Sequence, residues 1–241
     1  MRPSINCDLG EGFAVYSVCD DAAMMGHIDV ANVACGFHAS DPVVMHRTVR
    51  LAKDNGVRVG AHPSYPDRQG WGRREMKIDR EELRDLLVYQ VGALKGFLDL
   101  HGLPLNHVKA HGALYGVATR DEGTAEALAD VAEIFGVPLF GMAGTLHESV
   151  CRARGLGFTG ELYADLNYGR DGRLLIQRQP PKVTPEQVVA RCLRAIETGL
   201  VASADGGDVR VRFETICVHS DTPGAVAAAV ALKKALGTVL A

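Results

Sequence analysis

The chain has 241 residues, 47% hydrophobic and 23% charged, with a formal net charge of −3 and no Lys/Arg-rich run. That composition belongs to a soluble globular protein and argues against nucleic acid or an anionic membrane as a partner. A β/α barrel commonly runs to this length as one domain, so one domain over 1–241 is expected.

No secretory signal is visible at the N-terminus, and the most apolar helical stretch, Gly224–Leu232, is short and followed by Lys233-Lys234. Both features point to a cytoplasmic protein. The six cysteines (7, 19, 35, 151, 192, 217) lack CxxC spacing and read as buried, reduced side chains.

In chain order, the first strand is Ser4–Cys7, running into Asp8-Leu9-Gly10-Glu11-Gly12, where glycines allow a sharp turn beside two carboxylates. The second is Ile28–Ala34. It breaks at Cys35-Gly36 into a turn carrying His38 and Asp41, with Asp41 at an N-cap and Pro42 at N1 of a helix over Val43–Asn55. The third strand, Val57–Ala61, ends at His62-Pro63. A long loop, Ser64–Met76, follows, with Tyr65, Asp67, Trp71, Arg73 and Arg74; loops of this length are usually functional or disordered. Leu83, Leu87, Val91, Leu94 and Leu98 then mark a helix behind an Asp79 cap.

The fourth strand, Asn106–Ala110, is read as continuing into His111–Tyr115, before a helix over Gly123–Phe135. The fifth is Val137–Gly141, and Thr145–Glu148 has the capping-box pattern. The sixth, around Gly157–Gly160, ends at Glu161–Asp165. A polar insertion, Leu166–Lys182, reads as a hairpin or lid. Thr184-Pro185-Glu186-Gln187 opens a helix that stops at Gly199. The seventh strand, Glu214–Val218, ends at His219-Ser220-Asp221, ahead of a last helix opened by Thr222-Pro223. Repeated strand–helix units imply a parallel sheet, and seven of them favour a closed α/β barrel over an open sheet.

Polar residues gather at the strand C-terminal ends: Asn6, Asp8, Glu11, His38, Asp41, His62, Lys109, His111, Glu161, Asp165, His219 and Asp221. In a β/α barrel these ends share one face, where active sites sit. Asp41 and Asp221 are equally well explained as helix caps. His107 reads as packing or surface, and His27, His46, His101 and His147 carry no functional reading. The remaining set suits hydrolysis at a carbonyl or phosphoryl centre: a carboxylate or imidazole to deprotonate water, a lysine to stabilise an oxyanion. Asp8, His38 and His62 are also a candidate N/O ligand set for zinc or manganese. Gly155–Gly160 fits GxGxxG, but it precedes a strand rather than a helix, so it is discounted. GxxxxGK[ST] and GxSxG are absent.

Several motifs are more specific together: Asn6–Glu11, Cys35–Pro42, Gly60–Asp67, Gly72-Arg73-Arg74, His111–Tyr115 and Asp221–Gly224. In this order they resemble the LamB/YcsF family, which includes one component of the bacterial ATP-dependent 5-oxoprolinase. The resemblance implies a seven-stranded β/α barrel similar to that of sugar deacetylases and some glycosidases. It implies ATP-coupled opening of the 5-oxoproline lactam to glutamate, together with partner subunits B and C, with ATP bound here or on a partner. Asp8, His38, Lys109 and His111 are the catalytic candidates, and Glu11, His62, Arg73, Arg74 and His219 the substrate-binding ones. In that chemistry Lys109 and the arginines would stabilise the oxygen or phosphate, Asp8 or His38 would activate water, and His111 or His219 would protonate the departing nitrogen.

The chain departs from the family pattern at Ala110, Ser40, Trp71 and Ser220, and at Leu166, where an arginine is expected before the retained Tyr168. A lost guanidinium bears on the substrate rather than on the fold. Two other readings remain open: a stand-alone divalent-metal deacetylase or amidohydrolase, and a non-catalytic subunit.

Overall fold

The computed structural model describes residues 2–175 and 183–239. In chain order the elements are β1 (Ser4–Leu9), α1 (Asp21–Met25), β2 (Val30–Ala34), α2 (Pro42–Asp54), β3 (Arg58–His62), α3 (Arg80–His101), β4 (Leu105–Val108), α4 (Gly112–Ala118), α5 (Glu122–Phe135), β5 (Leu139–Gly141), α6 (Leu146–Ala153), β6 (Phe158–Tyr163), α7 (Pro185–Thr198), β7 (Leu200–Ala202), β8 (Asp208–Arg210), β9 (Thr215–His219) and α8 (Ala225–Val239). Seven strands close a parallel barrel in the order β1-β2-β3-β4-β5-β6-β9, and β9 returns to pair with β1. The expected seven-stranded barrel is therefore the fold.

The strands are short apolar runs because both faces are covered, one by helices and one by the barrel interior. The helices bury one stripe each. On α3 the buried residues are Leu83, Leu87, Val91, Leu94 and Leu98 with Gln90, and each such leucine contributes about 1.5–3 kcal/mol of apolar burial. Asp79 caps α3 by accepting from the Glu81 N–H, and Gly102 ends it in the left-handed conformation at φ 66°. Asp41 is a cap as well: its carboxylate accepts from the Val43 and Val44 amides. The Thr184 box is complete, whereas Glu148 turns back to the Gly144 amide rather than to Thr145.

Three local expectations differ. Residues 112–118 form α4 rather than an extension of β4, because the chain turns at Gly112 with φ 55°. The segment between α7 and β9 holds an antiparallel β7–β8 hairpin, and the polar stretch before β2 holds α1. Of the insertion read as a hairpin or lid, Tyr168 and Leu174 pair in an antiparallel bridge, and residues 176–182 lie outside the described set. All six cysteines are free, and five are buried. No described helix is long and apolar enough to cross a membrane.

The barrel interior is polar at its centre. Asn6, Asn32, His107, Lys109, Glu161 and Thr215 are all buried there or at its rim. Gly60 makes room for one of them, since a Cβ at this position would lie 2.0 Å from His107 Cε1. Register sets Asp8 level with Asn32 of β2 and His219 of β9, which fixes the centre of the site.

Candidate active site

Asp8, at the end of β1, uses its two oxygens differently. Oδ1 accepts from Asn32 Nδ2 at 2.7 Å and Lys109 Nζ at 3.0 Å. Oδ2 faces His62 Nε2 at 3.3 Å and His219 Nε2 at 3.7 Å. Asn32 is itself fixed: its second amide hydrogen goes to Asn6 Oδ1 and its oxygen accepts from His107 Nε2 at 2.8 Å. Burial raises the pKa of Asp8, but His62, Lys109 and His219 outweigh it and hold the carboxyl well below its ordinary value.

Lys109 lies between Asp8 and Glu161, which is 3.2 Å from Nζ. Burial works against its charge, yet Asp8, Cys217 and Glu161 hold its pKa above the usual ammonium range. Its three N–H bonds go to Asn6 Oδ1, Asp8 Oδ1 and Cys217 Sγ. None is left for an oxyanion, so Lys109 acts by neutralising and positioning Asp8.

Two histidines beside Asp8 have their tautomers set by carbonyl groups. His62 Nδ1 donates to the Lys109 carbonyl at 2.9 Å, and His111 Nε2 donates to the Trp71 carbonyl at 2.8 Å. Trp71 sits at φ 58°, a left-handed conformation that costs an L residue about 1–2 kcal/mol, and the strain aims this carbonyl. Gly72 and Gly112 allow the approach: a Cβ on Gly112 would lie 2.7 Å from the Gly72 oxygen, and one on Gly72 2.8 Å from the His111 ring.

His219 is oriented from behind. Its Nδ1 donates to Asp165 Oδ1 at 2.8 Å, and its backbone N–H to Oδ2 at 2.7 Å. Burial lowers its pKa, but Asp165, with Asp8 and Asp221 beyond it, raises it to about 9, so the ring is an imidazolium at neutral pH. Glu11 is pushed the other way, up to about 8, by burial and by Asp8 and Asp221, against His62 and Arg73. His38 Nε2 bonds Glu11 at 2.9 Å, and burial lowers this imidazole to about 3.

The cavity at the barrel mouth is lined by Asp8, His62, Arg73, Lys109, His111 and His219, with Tyr115, Tyr163, Leu166 and Leu174 as its walls. Six of the nine proposed site residues therefore converge. Glu11, His38 and Arg74 do not line it. Glu11 and His38 satisfy each other, with the His38 ring stacked on His111 at 3.7 Å. Arg74 turns away to Asp67 with its side chain 63% exposed, while Arg73 turns in and pairs with Asp221 at 2.8 Å. The ligand set Asp8, His38 and His62 is not brought together. Among the described residues, the His/Cys/Asp/Glu groups close enough to share an ion are Asp8–His62–His111, Asp8–Cys217–His219 and Glu11–His38–His111.

Leu166 presents an apolar side chain to the cavity, and its carbonyl accepts from Arg191 of α7. Sequence reasoning missed Asn32, Tyr115 and Tyr163. Asn32 had a signal, a lone amide inside an apolar strand. Tyr115 and Tyr163 had none, because buried aromatics are ordinary core.

Comparison with known proteins places this geometry. The LamB/YcsF family model matches residues 4–239. The chain is 43% identical to the 5-oxoprolinase A subunit of Syntrophobacter fumaroxidans over 99% of this chain and 96% of that one. It is 44% identical to the lactam utilization protein lamB of Emericella nidulans over 91% and 88% of the two chains. The crystal structure of the lactam utilization protein from Thermus thermophilus superposes with a TM-score of 0.91 at 40% identity, covering 99% of this chain and 97% of that one. The chain belongs to the LamB/YcsF family.

Proposed function

We propose that this chain is the A subunit of an ATP-dependent 5-oxoprolinase and that its barrel mouth carries out the ring-opening half of the reaction. One observation carries the reading. Relatives bearing that name match the chain end to end, and the matched fold holds a proton acceptor and a proton donor facing each other across one cavity: Asp8 Oδ2 and His219 Nε2, 3.7 Å apart.

An unstrained five-membered lactam resists water. Transfer of a phosphoryl group from ATP to its oxygen would make the ring carbon electrophilic enough for attack. Water then adds to that carbon, the C–N bond breaks, and the ring nitrogen takes a proton, leaving an acyl phosphate. A second water hydrolyses it, giving glutamate, ADP and phosphate overall.

In this chemistry Asp8 Oδ2 and His62 Nε2 form the proton-accepting side, aimed at the attacking water. His219 is the donor: Nδ1 is held by Asp165, so the proton on Nε2 is the one delivered to the leaving nitrogen. Arg73, at the cavity wall, offers a guanidinium to an anionic group of the substrate. The ATP-coupled step and its dependence on subunits B and C belong to the assembled enzyme.

The test is glutamate release from 5-oxoproline and ATP by this chain with its partner subunits, and by the same mixture lacking it. Release that needs this chain and falls at least about 100-fold with His219→Gln supports the reading. Equal release with and without this chain contradicts it.

A further inference from the structure

We propose that Asp8, His62 and His111 form a divalent-metal site at the barrel mouth, and that His38, although adjacent, is not a ligand.

The inference rests on where the hydrogens are. A carbonyl oxygen only accepts, so the Lys109 carbonyl fixes the proton of neutral His62 on Nδ1, and the Trp71 carbonyl fixes that of neutral His111 on Nε2. His62 Nε2 and His111 Nδ1 are then both lone pairs, and they lie 3.0 Å apart. The third group facing them is Asp8 Oδ2, 3.3 Å from His62 Nε2. Three acceptors thus converge with no hydrogen between them, an arrangement that calls for a cation.

The spacing suits a metal ion. With bonds of about 2.0–2.1 Å, neighbouring ligand atoms of a four- or six-coordinate ion stand about 3.0–3.4 Å apart. The rest of each ligand is already satisfied, as metal ligands require: Asp8 Oδ1 by Asn32 and Lys109, the imidazoles by the two carbonyls. All three residues line the cavity, so an ion there would have positions open to substrate. Two imidazoles and a carboxylate suit zinc or manganese. Such an ion would supply a Lewis acid for an amide or phosphoryl oxygen.

His38 is excluded by its own bonds. Its Nε2 is engaged by Glu11 at 2.9 Å, and its ring lies parallel to that of His111 at 3.7 Å, which places it beside the site rather than around it.

The test is metal binding itself, so its outcome is independent of lactam turnover. The full chain is stripped with chelator, dialysed and titrated with Zn2+, Mn2+ and Co2+. Calorimetry gives stoichiometry, and the Co2+ visible spectrum reports nitrogen and oxygen ligands. About one ion per chain is expected. His62→Gln and His111→Gln should each lose more affinity than the about 10–100-fold that follows loss of an outer hydrogen-bond partner, while His38→Asn stays within about threefold of wild type. Circular dichroism and thermal melts identify any variant that does not fold, and Asp8→Asn then serves as the second probe of the same site. No uptake by the folded wild type, unchanged affinity in the folded His62 and His111 variants, or a loss in His38→Asn as large as in His111→Gln would each overturn the proposal.

Discussion

His219 Nδ1 donates to Asp165 Oδ1 at 2.8 Å, and this single bond determines both the charge of the imidazole and the direction of its other nitrogen. As an acid, His219 must be protonated, so activity should fall as pH rises through about 9. In Asp165→Asn the carboxylate that raises that pKa is gone. The alkaline limb of kcat/KM for the assembled enzyme should therefore move downward, toward the ordinary imidazole value of about 6.5. A pH–rate profile with an unmoved limb would remove His219 from the acid role.

Lys109 and Asp8 form an ion pair at 3.0 Å with side-chain exposures of 1% and 5%. Lys109→Met leaves Asp8 and Glu161 without their buried cation. Breaking such a pair from one side costs about 3–5 kcal/mol, or roughly 10 °C in Tm for a chain of this size. Adding Glu161→Gln should recover part of that loss. Differential scanning calorimetry checks both, and a Tm within about 2 °C of wild type for Lys109→Met would contradict the account.

Gly60 and His107 share one space inside the barrel. A Cβ on Gly60 would stand 2.0–2.4 Å from three His107 ring atoms, with no flexible end to yield. Gly60→Ala should destabilise by about 1–3 kcal/mol in urea unfolding. Because the two changes act on one clash, Gly60→Ala with His107→Ala should be less damaging than the sum of the single variants. Strict additivity would mean that the ring moves freely.

The barrel and its mouth were legible for a physical reason. Parallel strands covered on both faces must be short apolar runs, and Ile28–Ala34 or Val57–Ala61 can be little else. The ends of those runs share one face, which is why Asp8, His62, Lys109, His111 and His219 could be named together. Direction was not legible. Arg73 and Arg74 are neighbours in an irregular loop with no period to say which turns inward, and they part to Asp221 and Asp67. His38 stands at a strand end like the others, but Glu11 intercepts it. Ala113-Leu114-Tyr115 read as strand because a short apolar run has no helical signature of its own; the turn at Gly112 decides it.

On the outer face of the barrel, Glu148 is paired with Arg212 and Arg152 and accepts from the Gly144 amide at 2.9 Å. The Arg212 bond and that amide, working against burial, bring its pKa from 4.5 to about 2. A depressed carboxyl contributes stability that is present above its unfolded value and lost as pH falls through about 2. The full shift corresponds to at most about 3 kcal/mol, less because both guanidiniums are more than half exposed. Glu148→Gln should flatten the stability profile between pH 4.5 and 2, as followed by urea unfolding at a series of pH values. An identical acid limb in the variant would contradict the assignment.

The central claim is that the chemistry takes place at Asp8, and the most direct measurement is glutamate formed from 5-oxoproline and ATP by the assembled enzyme carrying Asp8→Asn. This variant keeps the shape of the side chain and, by accepting at Oδ1, its bonds to Asn32 and Lys109. The expected result is normal assembly with the partner subunits and glutamate release reduced by at least about 100-fold. Full turnover by a correctly assembled Asp8→Asn enzyme would place the chemistry elsewhere and contradict the account.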